Sequence, residues 1–178
     1  MNILYVTGEA APFCKTGGLA DVSGSLPVAL AARGQHVAVI LPLYDTISRQ
    51  WRHQMTFRRY IYVDLAWRHE YCGLFSLKHR GVTWYFVDNE HYFARGRLYG
   101  ERDDGERFGF FSRAVMELLP LLDEMPDVIH CNDWQTAMIP VYLKATYHTT
   151  PLKHTRCMYT IHNIEYQGWA NASFFDDV

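Results

Sequence analysis

The chain opens on an apolar run, Asn2-Ile3-Leu4-Tyr5-Val6, that stops at Thr7-Gly8. A short continuous run closed by glycine predicts a strand of a parallel sheet, buried on both faces. Leu19, Val22, Leu26, Ala29 and Leu30 then recur at three- and four-residue steps, and Gly34 stands where a helix stop belongs. That spacing predicts a helix. Pro27 falls inside it, and by removing an N–H and crowding the preceding turn it is expected to kink the helix or delay its start. Val37-Ala38-Val39-Ile40-Leu41, ending at Pro42, completes a strand, helix, strand unit with a right-handed crossover expected.

The pattern changes in the middle of the chain. Residues 60–65, 71–78 and 82–87 are rich in β-branched and aromatic side chains, with His79-Arg80-Gly81 as a turn, and two of these runs predict an inserted β-hairpin. Residues 91–105 are polar and glycine-bearing yet carry Tyr92, Phe93 and Tyr99, the mixture of an ordered functional loop bordering a site. Phe108, Phe111, Val115, Leu118, Leu119 and Leu122 step at helical intervals up to Asp123, with Pro126 beyond. Val128-Ile129-His130-Cys131 follows as a strand, residues 137–147 as a helix and Met158-Tyr159-Thr160-Ile161 as another short strand. The fold class is therefore α/β: a Rossmann-like parallel sheet with an inserted β-hairpin, and no repeat, low-complexity tract or linker divides residues 1–178. Residues 171–178 end on no cap or turn, and Phe174-Phe175 is an apolar pair with no element to bury it. That ending predicts a domain incomplete at its C-terminal end.

Composition narrows the function classes. Of 178 residues, 49% are hydrophobic and 15% aromatic, ample for a packed core. Seventeen basic against 19 acidic residues give a net charge of -2, without the basic footprint that nucleic acid requires. No apolar run approaches the roughly 20 residues of a membrane span, and a strand beginning at Asn2 leaves no room for a signal peptide, so a cytoplasmic location is expected. Cys14, Cys72, Cys131 and Cys157 form no C-x-x-C pair, which argues against a zinc ribbon or redox motif and for four reduced thiols. None of the nine histidines is spaced as H-x-x-x-H or H-E-x-x-H, so no metal is expected.

Three segments carry candidate chemistry. Lys15-Thr16-Gly17-Gly18-Leu19-Ala20-Asp21-Val22 lies between the first strand and first helix, at the strand carboxyl end where α/β sheets bind ligands. Adjacent glycines, their N–H groups, a helix N-terminus and the Lys15 ammonium suit a phosphate, although the same residues also make an ordinary tight turn. Gly17, Gly18 and Gly24 miss the G-x-G-x-x-G spacing despite Asp45 some way beyond, which counts against an NAD-dependent oxidoreductase. His130-Cys131-Asn132-Asp133-Trp134-Gln135-Thr136 and His162-Asn163-Ile164-Glu165-Tyr166-Gln167-Gly168 close two later strands. Asp133, His162 and Asn163 beside Trp134 and Tyr166 offer the directed hydrogen bonds and apolar faces that a hexose needs. Each also has a plain reading: Asp133 as a helix cap, Trp134 as core, His162-Asn163 as a polar turn.

These segments, in this order, resemble the bacterial glycogen/starch synthases that use a nucleotide-diphosphoglucose. The resemblance covers essentially the whole chain, from the opening strand and Glu9-Ala10-Ala11-Pro12 through the Lys15 loop, residues 104–111 and the His130 block to Gly168. It implies the N-terminal, acceptor-side half of a two-Rossmann-domain (GT-B) glycosyltransferase. Such an enzyme moves glucose from ADP-glucose to the non-reducing 4-hydroxyl of an α-1,4-glucan such as glycogen with retention, needing no metal or cofactor. It further implies Lys15, Gly17 and Gly18 at the donor phosphate or acceptor region and His162 against the glucosyl unit near the reacting bond. Asp133, Trp134 and Asn163 would line the sugar pocket, with Asp21 and Tyr99 as weaker candidates. Asn132 and Gln135 stand where histidine is more usual and are expected to support the loop. The diphosphate-binding arginine and lysine would come from a second, nucleotide-binding domain absent from this chain, so the fragment alone is expected to be inactive. A non-catalytic nucleotide- or glucan-binding module is the alternative.

Overall fold

Strand β1 (Asn2–Val6) is buried from Ile3 onward, as a central parallel strand must be. The chain then enters helix α1 (Gly18–Ala32), β2 (His36–Pro42) and a short helix α2 (Arg49–Arg52). Strands β3 (Thr56–Leu65), β4 (Arg68–His79) and β5 (Val82–Asp88) follow, then α3 (Glu90–Phe93) and α4 (Asp104–Leu118). The last elements are β6 (Val128–Asn132), α5 (Met138–Ala145), β7 (Arg156–Thr160) and α6 (Phe174–Asp177). This computed structural model describes residues 1–172 and 174–177.

One seven-stranded sheet runs β3-β4-β5-β2-β1-β6-β7. Strands β5, β2, β1, β6 and β7 are mutually parallel, and β4 is antiparallel to both its neighbours. The chain leaves β1 to one side through β2 and returns to the other side through β6, so the order reverses between β1 and β6. Loops after those two strands diverge there and leave a crevice at the strand carboxyl ends.

Several expectations are corrected by this arrangement. The inserted hairpin is present as β3 and β4, paired antiparallel from Thr56↔Ser76 to Leu65↔Arg68 at the sheet edge, whereas the third run, β5, joins the parallel sheet, registered against β2 from Ala38↔Thr83 to Pro42↔Val87. The turn between β4 and β5 is as expected, Arg80 and Gly81 both having positive φ. Helix α1 starts at Gly18, not later, and continues through a buried Pro27 to Ala32. Helix α4 starts at Asp104, so the loop after α3 covers only residues 94–103. Its first turn carries Asp104 and Glu106, which suit the positive helix N-terminus but precede the apolar repeat that marked the helix. Phe174 has a place after all, in α6 beside Gly105 of α4; the side chain of Phe175 and all of Val178 lie outside the described residues.

Phe13 sits in the core with its ring edge-on to Trp51, Trp84 and Phe86 at 4.9–5.1 Å. It draws the loop after β1 down onto the sheet, and α1 crosses that loop very closely. Ala11 N donates to Ala20 O at 3.0 Å, and a Cβ on Gly24 would stand 2.4 Å from Ala11 O. All four cysteines are free, although Cys131 and Cys157, distant in sequence, come within 3.7 Å.

Gly24→Ala should therefore force α1 off the loop and destabilise the fold by about 1–3 kcal/mol, the cost of overpacking. Urea unfolding reads this directly, and an unchanged midpoint would show that helix and loop separate freely.

Candidate active site

A cavity of about 970 Å³ lies at the carboxyl ends of β1, β6 and β7. Four stretches wall it: Glu9 with residues 16–19 and Val22, residues 97–101 with Asp104, residues 133–135, and residues 162–163 with 165–169. Gly17, Gly18, Tyr99, Asp133, Trp134, His162 and Asn163 all face it, whereas Lys15 and Asp21 do not.

The first wall is organised by a residue that the sequence pattern did not single out as functional. Glu9 is 2% exposed. Its carboxylate accepts from Thr16 N and Thr16 Oγ1 at 2.6 Å and from Gly17 N and Ala20 N at 3.2 Å. Helix α1 has no side-chain cap of its own at Gly17, so this carboxylate takes two of the N–H groups at the helix start, those of Gly17 and Ala20, and sits against the positive helix end. The donors expected for a phosphate are largely engaged by the protein itself. Lys15 points away and meets Asp21 at 2.7 Å, with both side chains more than half exposed; such a pair is worth only about 0–1 kcal/mol, so little holds Lys15 there. Gly18 keeps an open side: nothing lies within 4 Å of where its Cβ would stand.

The second wall is strained. Asp133 adopts φ 56° and ψ -179°, a backbone region nearly reserved for glycine. Its N–H donates to Thr160 O at 2.9 Å, its carbonyl accepts from Thr136 N at 3.1 Å, and its Oδ1 accepts from His162 N at 2.7 Å. The side chain thus does not cap the following 3₁₀ turn, as a simple cap would; it ties the β6 loop to the β7 loop. Trp134 is half-buried, edge-on to Phe108 at 4.9 Å. Glycine is needed at 168 because the backbone there, at φ 68°, lies against the indole.

Gln135, expected to support the loop, also lines the cavity. Its Oε1 and the hydroxyl of Tyr99 are both buried with no hydrogen-bond partner among the described residues. Both converge above Gly8, where a Cβ would come within 2.9 Å of Gln135 Cγ and 3.1 Å of Tyr99 Oη. Burial pushes the Tyr99 hydroxyl well above its ordinary pKa, so it stays a neutral donor. Arg97, at the cavity rim and paired with Glu101 at 2.6 Å, is a further cation that sequence reasoning passed over; its place in the glycine-bearing loop was the available signal.

On the third wall His162 is held at two points, through its N–H to Asp133 and its Nε2 to Asn132 Oδ1 at 2.9 Å. Asn132, fully buried, supports the loop as expected by donating to Val6 O and His130 O at 3.0 Å. Asn163 is engaged in its own turn, its Oδ1 accepting from Glu165 N at 3.0 Å, and Tyr166 stands exposed on the rim. No group of three or more His, Cys, Asp or Glu among the described residues is placed to hold a metal ion, and no helix there is long and apolar enough to cross a membrane.

Sheet order and cavity define a Rossmann-like α/β domain with a cavity at the topological switch point. The chain belongs to the starch synthase catalytic domain family, whose sequence pattern matches residues 2–178. Glycogen synthase of Halalkalibacterium halodurans is 52% identical over 94% of this chain and 35% of its own. That of Geobacillus stearothermophilus is 46% identical over the whole of this chain and 37% of its own. Among solved structures, the catalytic domain of starch synthase IV from Arabidopsis thaliana, bound to ADP and acarbose, superposes with a TM-score of 0.90. It is 34% identical and covers 98% of this chain against 36% of that one. Sucrose-phosphate synthase from Thermosynechococcus elongatus, at 16% identity and TM-score 0.59 over 97% of this chain and 36% of that one, shares the fold. The chain thus spans little more than a third of the length of these relatives.

The strain at Asp133 separates backbone demand from side-chain role. Asp133→Ala loses the tie to His162 and keeps the strain, whereas Asp133→Gly loses the tie and relieves it. The glycine variant should be more stable than the alanine variant by about 1–2 kcal/mol. Equal unfolding midpoints would count against a strained loop.

Proposed function

We propose that this chain is the N-terminal, acceptor-side Rossmann-like half of a GT-B glycogen/starch synthase. The whole enzyme would transfer glucose from ADP-glucose to the non-reducing 4-hydroxyl of an α-1,4-glucan, with retention, in the cytoplasm. One observation carries the reading: Gly17-Gly18, Tyr99, Asp133-Trp134 and His162-Asn163, scattered through the sequence, wall a single cavity at the switch point. The mixture suits a sugar, with directed polar groups for its hydroxyls and aromatic edges for its C–H faces.

The charge balance supports an incomplete site. Loss of a nucleoside diphosphate requires cations where its negative charge develops, and near this cavity the chain offers Arg97 on the rim and Lys15 close by. Glu9, Glu101, Asp104 and Asp133 line the same space, so most of the neutralising charge would come from a second domain. That domain would also find an apolar landing beside β7, where Met158, Tyr159, Ile161 and Ile164 are exposed. The Lys15 ammonium, held only by its exposed pairing with Asp21, would swing to the diphosphate when the donor enters. Asp133 and His162 would position the glucosyl unit, the role that acceleration by orientation requires.

Two variants of the full-length protein test the reading by calorimetry with ADP-glucose and by transfer to glycogen. Gly18→Ala adds a methyl in open space at a helix start, so stability should hold or rise by up to about 1 kcal/mol, while donor affinity falls because the methyl occupies ligand space. Lys15→Ala should weaken ADP-glucose binding about ten- to hundredfold, the worth of one charge-assisted contact. Binding without any glucosyl transfer by the intact protein would instead support a binding module, and no binding at all would sink the assignment.

A further inference from the structure

Asn132 has only one chemically consistent orientation. Its side-chain nitrogen faces two carbonyl oxygens, Val6 O and His130 O, each at 3.0 Å. Carbonyls only accept, so the atom between them must be the NH₂ group. The amide oxygen is then fixed on the other side, 2.9 Å from His162 Nε2, and Asn132 is completely buried, leaving no room for the amide to turn over without stranding both carbonyls. An amide oxygen also only accepts, which puts the proton of a neutral His162 on Nε2.

The opposite ring nitrogen inherits the complementary character. Among the described residues, His162 Nδ1 makes no hydrogen bond, and the residue itself lines the cavity. Its main chain is fixed by the 2.7 Å bond from His162 N to Asp133 Oδ1. His130, the nearby imidazole, is occupied elsewhere, its Nε2 at 2.8 Å from Thr160 Oγ1. We propose that Asn132 is a positioning residue that locks His162 in the Nε2–H form, so that Nδ1 meets the ligand as a hydrogen-bond acceptor for a sugar hydroxyl. The sugar half of this inference rests on the glucosyltransferase reading; the tautomer half rests on the hydrogen-bond polarity alone.

The consequence is a polarity rule for the site. Asp133 contributes a carboxylate to the lining, and an acceptor at His162 adds to it, so this part of the wall selects ligand groups that donate. Hydroxyls satisfy that rule, whereas a phosphate oxygen placed against Nδ1 would meet a lone pair.

The test uses full-length protein labelled with ¹⁵N-histidine and two-bond ¹H–¹⁵N spectra, with His162 assigned by the loss of its signals in His162→Gln. The parent should show a protonated Nε2 and a bare Nδ1. Asn132→Leu, near in size but without polar atoms, should move both nitrogens toward the average of two exchanging tautomers. Asn132→His, which offers one donor and one acceptor, should restore the parent pattern. A proton on Nδ1 in the parent, or an Asn132→Leu spectrum identical to it, overturns the lock. For the sugar half, Asn132→Leu should lower kcat for transfer from ADP-glucose about five- to tenfold, as loss of one neutral hydrogen bond implies. KM should change little, and Asn132→His should recover most of the rate. An altered tautomer with undiminished kcat overturns that half. A parent enzyme that transfers no glucose would overturn the glucosyltransferase reading and the sugar half with it, while the tautomer stands or falls on the spectra.

Discussion

The carboxylate of Glu9 gathers four donors from the start of α1 and the loop before it, and the cavity depends on that contact. It lies three residues past β1, at the point where chain direction must reverse. Without a cap of its own at Gly17, α1 would present unsatisfied N–H groups to the crevice. With Glu9 in place the N–H groups of Gly17 and Ala20 are satisfied and the helix end is drawn against the sheet, and Gly24 allows the remaining approach to Ala11. The same contact sets the electrostatics: a negative group occupies the helix end that would otherwise attract an anion, leaving Gly18 and the cavity beyond it as the accessible surface.

A second tie joins the far wall. Asp133 bridges the loops after β6 and β7 by accepting from His162 N while its own N–H reaches Thr160 O, and its positive φ follows from serving both. Asn132, one residue earlier, faces the opposite way and holds His162 through its ring. Adjacent residues at a strand end thus grip one histidine from two sides, which is how a loop residue acquires the fixed geometry that catalysis by positioning needs.

Much of this was legible in the chain. Apolar runs marked β1, β2 and β6 because strands buried on both faces have no polar alternation to hide them, and glycine-bearing turns placed the candidate segments at strand carboxyl ends. Gly17, Gly18, Tyr99, Asp133, Trp134, His162 and Asn163 do share one cavity. Lys15 and Asp21 do not face it, because the Lys15 ammonium pairs with the Asp21 carboxylate, and no sequence pattern specifies a rotamer. Glu9 was overlooked as a functional residue because a single carboxylate beside Ala10-Ala11-Pro12 matches no spacing rule; its isolation after Gly8 was the one available hint. The start of α4 was missed because its first turn is polar, and α6 because four residues carry no period.

The sequence by itself determined the alternation of strands and helices, the crevice end of the sheet and the residue types gathered there, since burial periodicity and turn chemistry are local properties of the chain. Tertiary structure alone decided that β5 joins β2 and so carries β3 and β4 onto the main sheet, since β2 and β5 lie far apart in sequence. It also decided that Glu9 fills the helix end, that Gln135 and Tyr99 converge over Gly8, and that Asn132 dictates the proton on His162. These are outcomes of packing and hydrogen-bond polarity between segments as much as 126 residues apart, and no local pattern carries information across that distance.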